Sequence, residues 1–158
     1  MYLTHTFLLQ ITMCVGPSML PTFSPAGDIV LVDRLSPRLG LLQVGDVVIS
    51  KSPTNPHGTI CKRILGMAGD SVRYIQPRSK YGGRSTHDEG KEIIVTVPPG
   101  HVWLQGDNLK NSSDSRHYGC VPMALVTGRV FFRYWPLHRA GVIRTGKPPS
   151  NASGALHA

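Results

Sequence analysis

Residues 57 to 72 read "HGTICKRILGMAGDSV", and the fold class turns on them. Ile60, Cys61, Ile64 and Leu65 make a short apolar run between Gly58 and Gly66, and "GMAGD" supplies a turn after it. A Val- and Ile-rich run of four to eight residues between turn formers reads as a strand. Alternation then puts Ile60, Lys62 and Ile64 on one face and Cys61, Arg63 and Leu65 on the other. The same pattern recurs on both sides. "GDIVLVDRL" (27–35) and "VGDVVISKS" (44–52) precede it. "EIIVTVPPGHVWLQGDN" (92–108) holds two runs split by Pro98 and Pro99, and "LVTGRVFFRYWP" (125–136) closes the set. No amphipathic helix of ten or more residues stands out. The spacing predicts a mainly β domain of coiled antiparallel sheets in a barrel-like arrangement.

The chain has 158 residues, enough for one domain with a real core. Lys and Arg number 17 against nine Asp and Glu, a net charge of +8. That balance suits a nucleic acid, an anionic membrane surface or an acidic partner and selects none of them. Sparse aromatics and the lack of a basic helix argue against nucleic acid. Cys14, Cys61 and Cys120 form no C-x-x-C pair, so three buried free thiols are expected rather than a disulfide scaffold. The seven histidines are scattered without ligand spacing, so no metal or other cofactor is expected.

At the N-terminus, "MYLTHTFLLQITMCV" is apolar but interrupted, too short to span a bilayer and without a signal-peptide pattern. Residues 1–13 read as a short apolar segment, the remnant of an anchor or simply a first strand. Residues 14–139 read as the folded domain. Residues 74–91 read as a long surface loop, and 140–158, with the sequon at Asn151, as a disordered tail.

Lys62 lies between two isoleucines on its strand. A lysine there either snorkels its stem over apolar neighbours or is a desolvated amine. Burial disfavours the charged form, and a lysine brought toward neutrality can act as a general base. In "GPSMLP" (16–21), Gly16, Pro17 and Pro21 refuse helix and central strand, so Ser18 sits on a stiff, irregular loop. A serine needs a base to become a nucleophile, and lysine is an alternative to histidine. The segment "GDNLKNSSDSRHYG" (106–119) is dense in short polar residues. Such loops are mostly turn formers. Here Ser112 could bond and orient Lys62, Asp114 and Arg116 could form an ion pair, and Asp107 and Asn108 could satisfy backbone groups in the turn.

"PSMLPT" (17–22), "GDVV" (45–48), "KRILGMAGD" (62–70) and "GDNLKNSSDSR" (106–116), in that order, resemble the type I signal peptidase family of membrane-bound serine proteases. "GPSMLPT", "GHVWLQGDN" and the "DSRHYG" box followed by Val121 and Pro122 are similar to its mitochondrial inner-membrane branch. The resemblance implies a nucleophile at Ser18 and a general base at Lys62. It places Met19 in the substrate groove and has Ser112 orient the lysine. Asp114 and Arg116 become a structural ion pair, and Asp107 supports the site. It also implies removal of N-terminal sorting presequences from proteins delivered to the intermembrane space, at the inner membrane, with precursor proteins and a second homologous subunit as partners and no nucleic acid. Gly16 stands where some relatives carry a hydroxyl oxyanion donor, and Ala68 where a proline is usual. Met1–Val15 is expected to hold the membrane only peripherally, through Tyr2, Leu3, Phe7, Leu8, Leu9 and Ile11 or through a partner.

The competing readings are a bacterial or reticulum-type signal peptidase with the same chemistry, a self-cleaving repressor, and a non-catalytic basic β module for anionic lipid or nucleic acid. The repressor would need a helical DNA-binding domain. The β module leaves the ordered boxes to chance.

Overall fold

Each apolar run becomes a strand because its β-branched residues fit a pleated, half-buried surface and its flanking Gly, Pro and Asp residues end the pairing. The computed structural model describes residues 8–77, 90–146 and 156–157. Its strands are β1 (Leu9–Cys14), β2 (Asp28–Asp33), β3 (Val47–Lys51), β4 (Thr59–Met67), β5 (Ser71–Ile75), β6 (Glu92–Thr96), β7 (His101–Gln105), β8 (Val121–Pro122), β9 (Val126–Trp135), β10 (Gly141–Val142) and β11 (Leu156–His157). The helices α1 (Leu35–Arg38) and α2 (Ser115–Tyr118) are single turns. The mainly β expectation holds.

All pairings among the described residues are antiparallel. The large sheet runs β1-β2-β9-β3-β4-β7-β8, with β10 added to β9, and a small sheet runs β11-β5-β6. In β2, Asp28, Val30 and Val32 are buried and their neighbours half-buried, the period-two pattern of a strand with one face on the core. One cluster joins Cys14, Met19, Phe23, Val30, Val32, Val47, Ile49 and Val130. The large sheet therefore curls until its β1 end meets the strands at its middle. Each fully buried Val or Ile in such a core contributes about 1.5–3 kcal/mol.

At the N-terminus the first-strand alternative holds for residues 9–13, which are in register with β2 along its whole length, Leu9 opposite Asp33 and Cys14 opposite Asp28. At the other end an expected boundary moves. Residues 141–146, assigned to a disordered tail, pack onto the domain. Gly141 and Val142 pair with Arg133 and Phe132. The Ile143 N–H donates to the Phe131 carbonyl at 2.9 Å, and the Thr145 hydroxyl to Asp46 at 2.6 Å. Backbone pairing and one buried carboxylate fix this segment, and neither leaves a periodic pattern in sequence. Most of the expected 74–91 loop, the sequon, and Tyr2, Leu3 and Phe7 lie outside the described residues. Among the described residues no helix is long and apolar enough to cross a membrane.

Candidate active site

Lys62 sits mid-strand in β4, opposite Val48 of β3. Ile64 and Ile60 pack with Val48 in one cluster, so the lysine emerges from an apolar face as its neighbours require. It is 5% exposed. Its Nζ is hydrogen-bonded to Ser18 Oγ at 2.9 Å. Burial holds the amine below the ordinary lysine range. Cys61 and the carboxylates of Asp114 and Asp107 pull the other way, and Arg116 adds to the depression. Among the described residues no carboxylate comes within ion-pair distance of Lys62.

Ser18 is carried by a 3₁₀ turn, Pro17–Met19, that begins after Gly16. Gly16 has φ +111°, a conformation that side-chain-bearing residues rarely adopt. Met19 and Phe23 anchor the turn in the core, and the Phe23 N–H donates to the Met19 carbonyl at 3.0 Å. The Asn108 N–H donates to the Ser18 carbonyl at 2.9 Å, and its side-chain amide to the Pro17 carbonyl at 3.0 Å. Gly106 permits this approach. A Cβ there would stand 2.6 Å from the Ser18 carbonyl oxygen and 2.3 Å from Ser112 Oγ.

The other expected residues gather here with different bonds in two cases. Asp114 and Arg116 pair through both carboxylate oxygens, at 2.8 and 3.0 Å. Asp114 also caps α2 and accepts from the Gly106 N–H at 3.0 Å, so the loop closes back on the end of β7. Asp107 does not serve the turn backbone. Its carboxylate is bidentate with Arg63, at 2.9 and 2.8 Å, and accepts from the Thr22 hydroxyl. Asp107 is buried beside a buried guanidinium, and a paired charge is the arrangement burial tolerates. Ser112 is buried but does not bond Lys62. Its hydroxyl packs at Gly106 with no hydrogen-bond partner among the described residues. Met19 both fills the core and lines the cavity in front of Ser18.

That cavity is about 130 Å³, and Gly16, Ser18, Met19, Cys61 and Lys62 line part of it. A larger recess of about 490 Å³ adjoins it along β1 and shares Cys14, Val15 and Cys61.

Sequence reasoning missed Arg63 and Arg133. Arg63 ties β4 to Asp107 and donates to the Gly45 carbonyl at 2.8 Å. Arg133 donates to the Thr22 carbonyl at 2.7 Å and to Asp28 at 2.8 Å, holding the far side of the serine loop. For Arg63 a signal was present, since a cation alternating with Cys61 and Leu65 on a core-facing side requires a buried acid. For Arg133 there was none.

Comparison with known proteins gives a consistent picture. The sequence profile of the family described as signal peptidase, peptidase S26, matches residues 1–79 and 76–135. The chain is 45% identical over 134 residues to mitochondrial inner membrane protease subunit 1 of Mus musculus, covering 85% of this chain and 74% of that protein. It is 45% identical over 133 residues to the subunit 1 protein of Schizosaccharomyces pombe, covering 84% and 77%. It is 35% identical over 146 residues to mitochondrial inner membrane protease subunit 2 of Danio rerio, covering 90% and 73%.

Proposed function

The chain belongs to the signal peptidase family, peptidase S26, and from that premise we propose that it is a serine endopeptidase in which Ser18 is the nucleophile and Lys62 the general base. The observation that carries this reading is the 2.9 Å contact between a surface-loop hydroxyl and a buried amine held below its ordinary pKa. A neutral amine has a lone pair for the Ser18 proton. Ser18 Oγ then attacks the scissile carbonyl, and the ammonium passes its proton to the leaving amine. Water repeats the cycle on the acyl-enzyme. The Ser18 N–H is the oxyanion donor in this scheme, and Gly16 offers no side chain for a second. An ammonium has three N–H donors; among the described residues Lys62 has one partner, while the buried Ser112 hydroxyl has none. In this reading Ser112 is the acceptor that would turn to steady Lys62 once it is charged, the role the family resemblance implies for it. Asp107, Asp114 and Arg116 hold the loop that grips the serine turn, and Met19 shapes the cavity.

The substrates are precursors carrying N-terminal sorting presequences, cut at the inner membrane on the side of the intermembrane space, with a second homologous subunit as partner. The relatives are named mitochondrial inner membrane protease subunits 1 and 2, which supports the inner membrane and a second subunit. The surface supports it as well. β1 is an edge strand whose free side can take an extended peptide. Leu8, Leu9, Ile11, Met13 and Val15 are each at least half exposed along it, an apolar strip suited to a membrane surface. The test is a purified sample with a presequence peptide. One defined cleavage, abolished by Ser18→Ala, is expected; cleavage that survives Ser18→Ala refutes the assignment, and so does the absence of any cleavage with the partner subunit present.

A further inference from the structure

The peptidase scheme leaves two thiols at the site unused. Cys14 ends β1, four residues before Ser18, and Cys61 immediately precedes Lys62 in β4. In the large sheet β2, β9 and β3 separate these strands, and the curl brings them back together. Cys14 belongs to the cluster against which Cys61 packs. Both line the small cavity in front of Ser18 and Lys62, and both line the adjoining recess. All three cysteines are free thiols. Cys120 packs elsewhere, against the cluster of Leu65 and Trp103.

A buried cysteine usually acts as a small hydrophobe. Two thiols in contact, each next to a segment carrying a reacting group and both opening on the same cavity, have further chemistry. We propose that Cys14 and Cys61 are a reversible modification site: they react with a low-molecular-weight disulfide and, once joined, close the Ser18 cavity to peptide. This rests on the reading of that cavity as the peptidase site. Contact between the two thiols shifts their pKa values apart, and burial opposes ionisation of both. In this scheme Cys14 is the first attacker. Its thiolate forms a bond to one sulfur of the small disulfide and expels the other as thiolate. Cys61 then loses its proton and attacks the Cys14 sulfur, breaking the mixed disulfide and releasing the second thiolate. The two cysteines are oxidised, the small disulfide is reduced to two thiols, and the two protons go to those thiols. The new bond tethers β1 to β4 across the space a substrate side chain would occupy.

The test uses the full chain incubated with oxidised glutathione, with thiols mapped by peptide mass spectrometry and cleavage of a presequence peptide followed in parallel. A Cys14–Cys61 cross-link with loss of cleavage is expected, both reversed by a dithiol reductant. Cys120→Ser should respond in the same way. Cys14→Ala and Cys61→Ala, each measured against its own reduced rate, should lose the oxidative inhibition. Mixed disulfides without the cross-link overturn the proposal, as does a cross-link that leaves cleavage unchanged. Inhibition persisting in Cys14→Ala also overturns it. Should an alanine variant not fold, the wild-type map and rate decide by the same criteria. With the partner subunit present, reduced wild type that cleaves nothing sinks the peptidase reading and the gate with it, whereas good cleavage without a cross-link sinks the thiol pair alone.

Discussion

On one face of β4, Lys62 is 5% exposed and has a single hydrogen-bond partner among the described residues, the Ser18 hydroxyl. On the opposite face, Arg63 is 4% exposed and is held by both oxygens of Asp107 and by the Gly45 carbonyl. Adjacent residues with the same formal charge and the same burial thus meet opposite surroundings. A buried cation without a counter-ion is costly, and a lysine escapes the cost by giving up its proton. A guanidinium cannot do so and must be paired. One strand therefore supplies a reactive amine on one side and a fixed clamp on the other, and each residue type suits its side.

The largest expected effect breaks the reactive side. Ser18→Ala should abolish cleavage, and Lys62→Ala should lower it by at least ~10²–10⁴-fold, the usual worth of general-base catalysis. The double variant should be no worse than Ser18→Ala, because groups acting as one unit are not additive. Lys62→Arg sharpens the contrast. It keeps the charge, cannot deprotonate, and should be as inactive as Lys62→Ala in the same peptide assay.

Breaking the clamp should show first in stability. Arg63→Ala or Asp107→Ala leaves a buried charge unpaired, at a cost of ~3–5 kcal/mol, and should lower the thermal midpoint markedly. The serine turn hangs on Asp107 through Thr22, so activity at permissive temperature should fall too. Unchanged melting in both variants would remove Arg63 from its place in the comparison.

A smaller effect is expected at the second ion pair. Arg116→Ala removes one partner of Asp114, which keeps the N–H groups of Gly106 and of residue 116. The loss should be about 1–3 kcal/mol, the cost of an incompletely satisfied buried group, with reduced cleavage from a looser loop. A denaturant midpoint equal to wild type would mean that the helix cap alone holds the loop.

The strands were legible because each is a β-branched run between Gly, Pro or Asp, and strand alternation by itself puts Lys62 and Arg63 on opposite faces. The meeting of Ser18 with Lys62 was not legible from that alternation. It depends on the curl of a sheet whose strand order is far from chain order, and only the ordered boxes suggested it. The Asp114–Arg116 pair was legible because its partners are two residues apart. Asp107–Arg63 was only half legible, since its partners are 44 residues apart and the acid alone attracted notice. Ser112 was placed near the site, but its hydroxyl turns to the space that Gly106 leaves open. The packing of 141–146 left no pattern, because the backbone pairing of β10 with β9 and a threonine on Asp46 need none.

The pH dependence of peptide cleavage tests the central claim most directly. Burial depresses the Lys62 pKa, and the neutral amine is the active form, so deprotonation switches the site on. With substrate well below KM, kcat/KM should rise with pH along the slope of a single ionisation, through a midpoint below the ordinary lysine value of 10.5, and then level off. A profile that is flat across this range, falls with pH, or begins to rise only at or above 10.5 would contradict Lys62 as the base that activates Ser18.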